Sequence, residues 1–99
     1  MSTTAVFTDS TIETVVTSVQ FTDTGVTLGL LKGNIPELFR ERPISIITVL
    51  SDGSINIIPF TFTEGVDHES VTVEGADIEK VMVWNLGALR ALNEPVYRN

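Results

Sequence analysis

Apolar and polar residues alternate along most of this chain with the two-residue period of extended backbone, and turn-forming clusters cut the alternation about every 8–12 residues. Val15, Val19 and Phe21 share one parity, Asp23-Thr24-Gly25 follows as a turn, and Val26, Leu28 and Leu30 then alternate with Thr27 and Gly29. Two consecutive paired strands are predicted. Lys32-Gly33-Asn34 breaks the pattern, and residues 35–43 form a polar connection in which Pro36-Glu37-Leu38-Phe39 makes one helical turn, closed by Pro43. Ile44 to Leu50 is β-branched and apolar on both parities, the mark of a central strand. Beyond the turn Ser51-Asp52-Gly53-Ser54, Ile58, Phe60 and Phe62 share a face and supply its hairpin partner. Pro59 cannot donate to a ladder, which assigns that partner to an edge or a bulge.

Residues 64–70 read as a loop, 71–73 as a short strand, and Glu74-Gly75-Ala76-Asp77 as the turn into the strand that ends at Trp84. In that strand Val81 and Val83 alternate with Met82 and Trp84, so both faces are apolar, the pattern of a strand covered on both sides. Leu86-Gly87-Ala88 turns the chain again and 89–96 forms the last strand; a helical turn is the other reading of 86–92, because Leu86, Leu89 and Leu92 recur at threes. The predicted fold is a single antiparallel β-sandwich of about seven strands over residues 18–99, preceded by an extended arm or first strand at 1–17. Its predicted core is Val19, Leu28, Leu30, Ile46, Leu50, Ile58, Phe60, Phe62, Val71, Val81, Val83 and Trp84.

Composition narrows the picture. The 99 residues are 42% hydrophobic, enough for one core in one domain, and without cysteine that core must stand on packing alone. A net charge of −7, with Lys32, Arg40, Arg42, Lys80, Arg90 and Arg98 scattered, argues against binding to a phosphate backbone. Residues 64–79 carry Glu64, Asp67, Glu69, Glu74, Asp77 and Glu79 with no base, which predicts an acidic edge. The apolar runs are far shorter than the ~20 residues that span a bilayer, and Met1-Ser2-Thr3-Thr4-Ala5 has no basic or apolar leader pattern, so neither membrane insertion nor a secretion signal is expected.

Gly25-Val26-Thr27-Leu28-Gly29, followed by Pro43 through Gly53, resembles the opening strands of immunoglobulin-like or fibronectin-III-like modules in bacterial secreted proteins. Lys80-Val81-Met82-Val83-Trp84-Asn85 with Leu86, Leu89, Arg90 and Leu92 is similar to the closing strands of one such group, common in clostridial surface proteins, where an apolar alternation ends in Trp-Asp and Lys-Pro-Leu follows. The resemblance spans roughly residues 18–92; Asn85 and Ala91 stand where that group has Asp and Pro. It implies an immunoglobulin-like sandwich.

The residues offer little catalytic chemistry. His68 is the only histidine, and its neighbours Asp67 and Glu69 point away from it in extended backbone, so no catalytic residue is assigned and an enzyme is not expected. The glycines mark turns and never precede a helix as a phosphate cradle, and no cofactor or metal is assigned. Glu64-Gly65-Val66-Asp67 and Glu74-Gly75-Ala76-Asp77 would hold calcium only if they faced each other. Trp84 would be a sugar-stacking platform only if it pointed outward; Tyr97 is the better exposed aromatic contact.

The expected function is a non-enzymatic structural or display module, carried on a bacteriophage virion as a capsid decoration or tail protein. The alternative is a carbohydrate- or protein-binding module of a bacterial cell-surface protein. The expected partner is a protein assembly such as a capsid or tail, or a surface glycan or protein, with self-association compatible with either. The expected location is the virion surface, or the cell surface if the chain is an excised module. Val6, Phe7 and Ile12 on the arm, with Tyr97, are the candidate partner-binding residues, since apolar β-formers on an arm suit pairing with a partner's strand edge.

Overall fold

The computed structural model describes residues 15–35, 37–85, 90–93 and 95–98. They form two antiparallel sheets. In the smaller, β1 (Val16–Thr22), β2 (Gly25–Leu31) and β5 (His68–Glu74) lie in the order β1-β2-β5. In the larger the order is β4-β3-β6, from β4 (Ile55–Phe60), β3 (Ile44–Leu50) and β6 (Ile78–Asn85). Its fourth position is shared by two short pieces, β7 (Arg90–Ala91) against the end of β6 and β8 (Val96–Tyr97) against its beginning. The all-β sandwich of about seven strands read from the sequence is the architecture found.

Alternation does most of the building. Val26, Leu28 and Leu30 of β2 and Val73 of β5 project inward from the small sheet, against Ile44 and Ile46 of β3 and Val81 and Val83 of β6. Phe62 and Leu92 join the same cluster, and Ile58 and Phe60 pack against it from the hairpin edge. Phe60 and Phe62 meet edge to face, 5.2 Å between centroids. The connection at 32–43 holds two 3-10 turns, Lys32–Asn34 and Glu37–Phe39; Arg40 ties them by donating from Nε to the Ile35 carbonyl and from a terminal nitrogen to the Gly33 carbonyl. Gly25 is required where β2 begins, because a Cβ there would run into the Val73 carbonyl.

Two expectations change. The sandwich begins before Ser18: Val15 and Val16 are fully buried and β1 starts at Val16. What holds that start is Asn93, itself buried, whose Oδ1 accepts from the backbone N–H groups of Val15 (3.1 Å) and Val16 (2.9 Å). The rest of the expected arm, including Val6, Phe7 and Ile12, lies outside the described residues. The second change is Trp84, which is half-buried on the outer face of the larger sheet and not in the core. With Val81 and Val83 turned inward, the two-residue period turns Met82 and Trp84 outward. Leu50 is likewise half-buried.

On one side of the sandwich the outermost strands of the two sheets run along each other. Asn93 holds the beginning of β1, and at its other end Arg98 donates to the Thr22 carbonyl at 3.0 Å and sits 5.6 Å from the Phe21 ring centroid. The opposite side is bounded by β4 and β5.

Candidate interaction surface

The pairing register lays out the outer face of the larger sheet as a grid. One row runs Pro59, Ser45, Trp84, Ala91; the next Ile57, Ile47, Met82; the third Ile55, Val49, Lys80, Tyr97. Eight of these eleven side chains are Pro, Ile, Val, Met, Trp or Tyr, and three of them are more than half exposed: Ile55 at 59%, Ile57 at 64% and Tyr97 at 57%. The indole N–H of Trp84 donates to Met82 Sδ at 3.0 Å, which binds the ring to its neighbour two residues back on the same face. Lys80, the only charged member, lies 5.4 Å from the Tyr97 ring centroid, its stem extending the apolar cover at one corner.

The corresponding face of the smaller sheet is the contrast within the same molecule. Its register brings together Thr22, Gly25 and Glu74, then Gln20, Thr27 and Thr72, then Ser18, Gly29 and Ser70. These are hydroxyls, glycines, an amide and a carboxylate, with Thr27 Oγ1 and Thr72 Oγ1 3.2 Å apart. That is the polar face an open sheet turns to water. The larger sheet turns an apolar one, with rows about 6.6 Å apart along the strands and columns about 4.8 Å apart across them. The patch therefore spans roughly 400 Å² in projection, the size at which exposed apolar patches on folded proteins are often functional.

The sequence candidates that fall among the described residues take these places. Tyr97 falls on the third row of the grid, and Trp84 on the first. His68 opens β5 on the small sheet, its Nε2 3.3 Å from Thr17 Oγ1. The two acidic loops cannot face each other, for Glu64–Asp67 precedes β5 and Glu74–Asp77 starts at its last residue, so the length of the strand separates them by about 20 Å. Among the described residues no three His, Asp or Glu side chains gather as a metal cluster. Two carboxylates fix loops instead. Asp52 accepts from the Ser54 hydroxyl (2.6 Å) and the Ser54 backbone N–H (2.8 Å), which hold its carboxyl below the ordinary value. Glu69 accepts from the Thr63 backbone N–H at 2.7 Å, and hydrogen bonding from Thr63, hydroxyl first and N–H second, lowers it too.

The patch itself went unread in the sequence. Its signal is present in Ile44–Leu50 and in Val81–Trp84, both apolar on both parities, a pattern shared by strands that their own chain encloses on both sides. Comparison with protein-family models, with curated proteins and with solved structures finds no match to this chain.

Proposed function

We propose that the chain is a non-enzymatic structural module that joins a protein assembly through the apolar outer face of its larger sheet. One observation carries this reading: the two outer faces of one sandwich differ, polar on β1-β2-β5 and apolar on β4-β3-β6. Central strands that are apolar on both parities are characteristic of sheets with both faces covered. The interior supplies one cover, and a partner supplies the other.

The strand order supports kinship with immunoglobulin-like and fibronectin-III-like modules, since β5 leaves its neighbour β4 to cross to β2, and β6 crosses back to β3. With that kinship the assembly is the exterior of a bacteriophage particle, a capsid or tail. The alternative host is a bacterial cell-surface protein. Outward placement of Trp84 and Tyr97 also favours a sugar-stacking reading, but beyond the Lys80 ammonium and the Tyr97 hydroxyl the grid offers only a Trp84 N–H already engaged by Met82 and the buried hydroxyl of Ser45, and a glycan needs several polar partners for its hydroxyls.

A photo-crosslinking residue at position 57, with a matched one at position 72 on the polar face, tests the module reading in purified particles of the source virus. The expected result is the chain present by mass spectrometry, with adducts from position 57 and few from 72. Absence of the chain, or equal adducts from both, overturns it. A glycan array with bound sugars, and a Trp84 emission change on their addition, would put the sugar reading first.

A further inference from the structure

The partner chemistry that fits the grid is that of the grid itself. We propose that the occupant of this face is a second copy of this chain, packed sheet on sheet about a twofold axis. The inference rests on the reading of the face as a docking surface and goes further by naming the partner.

Charge selects it. A chain of net charge −7 repels its own copies, and self-association needs a surface from which the carboxylates are excluded. The eleven grid positions include no Asp or Glu. Glu69 and Glu74 lie on β5, in the other sheet, and when two copies meet through their larger sheets the two small sheets are three inter-sheet spacings apart, about 30 Å. That is several times the screening length of about 8 Å at physiological ionic strength. Glu79 is the extra residue where the β3–β6 register shifts, and Asp52 belongs to the β3–β4 turn; both stand beyond the third row, at the rim. Lys80 occupies the corner beside Tyr97, where pairing leaves its ammonium in water.

Shape and area agree. Flat sheet faces pack on one another about 10 Å apart with strands within about 30° of parallel, and a twofold axis makes one patch serve both copies. Two faces of roughly 400 Å² in projection, more as accessible surface, bury about 1,000 Å² together, the lower end for a specific interface. Such an interface is concentration-dependent, with half-association expected within about 10–1,000 μM.

Sedimentation velocity of the full chain from about 5 μM to 1 mM tests the proposal, with Trp84 emission followed over the same range. The expected result is a shift from monomer to dimer with a blue shift of the indole. Ile57→Glu, at a mostly exposed edge position, should abolish the dimer, whereas Thr72→Glu on the polar face should leave it intact. A melt of each variant confirms folding, and Ile55→Lys serves if Ile57→Glu fails to fold. A monomer at every concentration overturns the proposal, as does a dimer that survives Ile57→Glu. Particle adducts from position 57 together with a strictly monomeric chain would sink self-pairing and leave the module reading standing; a dimer with no particle adducts would do the reverse.

Discussion

Asn93→Ala should be the most damaging single polar substitution in the described part of the molecule. Its Oδ1 is acceptor to two backbone N–H groups, those of Val15 and Val16, on residues that are 0% and 1% exposed. Without it both donors are buried without this partner, at about 1–3 kcal/mol each, so the fold should lose ~2–6 kcal/mol. The chain has a second option, to release the beginning of β1 into water, and that forfeits the burial of two valines at about 1.5–3 kcal/mol each. The routes cost about the same, so the magnitude is insensitive to which is taken, and it is a large share of the ~5–15 kcal/mol expected of the whole domain. Urea denaturation measures it. Hydrogen exchange at the two amides separates the routes, because release makes both exchange quickly while strain in place keeps them protected. Asn93→Asp, which retains an acceptor oxygen, should lose less than Asn93→Ala. A loss below about 1 kcal/mol for Asn93→Ala would refute the reasoning, since it would mean that the two donors had other partners or were never desolvated.

Thr48→Val should stabilise by about 1 kcal/mol in the same assay, because Thr48 is fully buried and its hydroxyl has no hydrogen-bond partner among the described residues, while the replacement keeps the shape. Trp84→Ala should cost only ~1–2 kcal/mol, below the ~3–5 of a core aromatic, as the ring is half-buried on an outer face. Acid should destabilise: Asp52 and Glu69 are held below their ordinary values of 3.8 and 4.5, so their contribution is complete above those values and is lost as pH falls through the lowered ones. The melting temperature should hold from pH 7 to about pH 5 and then fall, less steeply in a variant with Asp52→Asn and Glu69→Gln.

The elements that depend on local chemistry were legible in the sequence. The hairpin of β3 and β4 follows from Ser51-Asp52-Gly53-Ser54, where Asp52 caps its own turn and Gly53 takes a φ of +88°. The 3-10 turn at Glu37–Phe39 and the edge position of Pro59 are local as well. What escaped depends on contacts across the chain. The anchoring of Val15 and Val16 at the start of β1 is not legible, and residues 1–17 read equally as an arm or a first strand, because the acceptor for the two amides is 78 and 77 residues away. Trp84 read as core because an apolar strand has the same pattern whether its second cover comes from its own chain or from another molecule. Only the pairing register, which sets Met82 and Trp84 on the side of the sheet away from Val81 and Val83, separates the two.

The side-chain stitches along β1 also say how the module would bear tension. Val15 is held at one end of β1 by Asn93, and Arg98 at the other end by the Thr22 carbonyl, about 20 Å away along the strand. A force that pulls Val15 and Arg98 apart runs parallel to the strands, so the Asn93 and Arg98 attachments strain together and neither can be peeled off first. Forced unfolding is governed by the barrier to leaving the native state. By this geometry the domain should yield at higher force when drawn by these two residues than when drawn across its sheets, as a link does in a chain under steady pull.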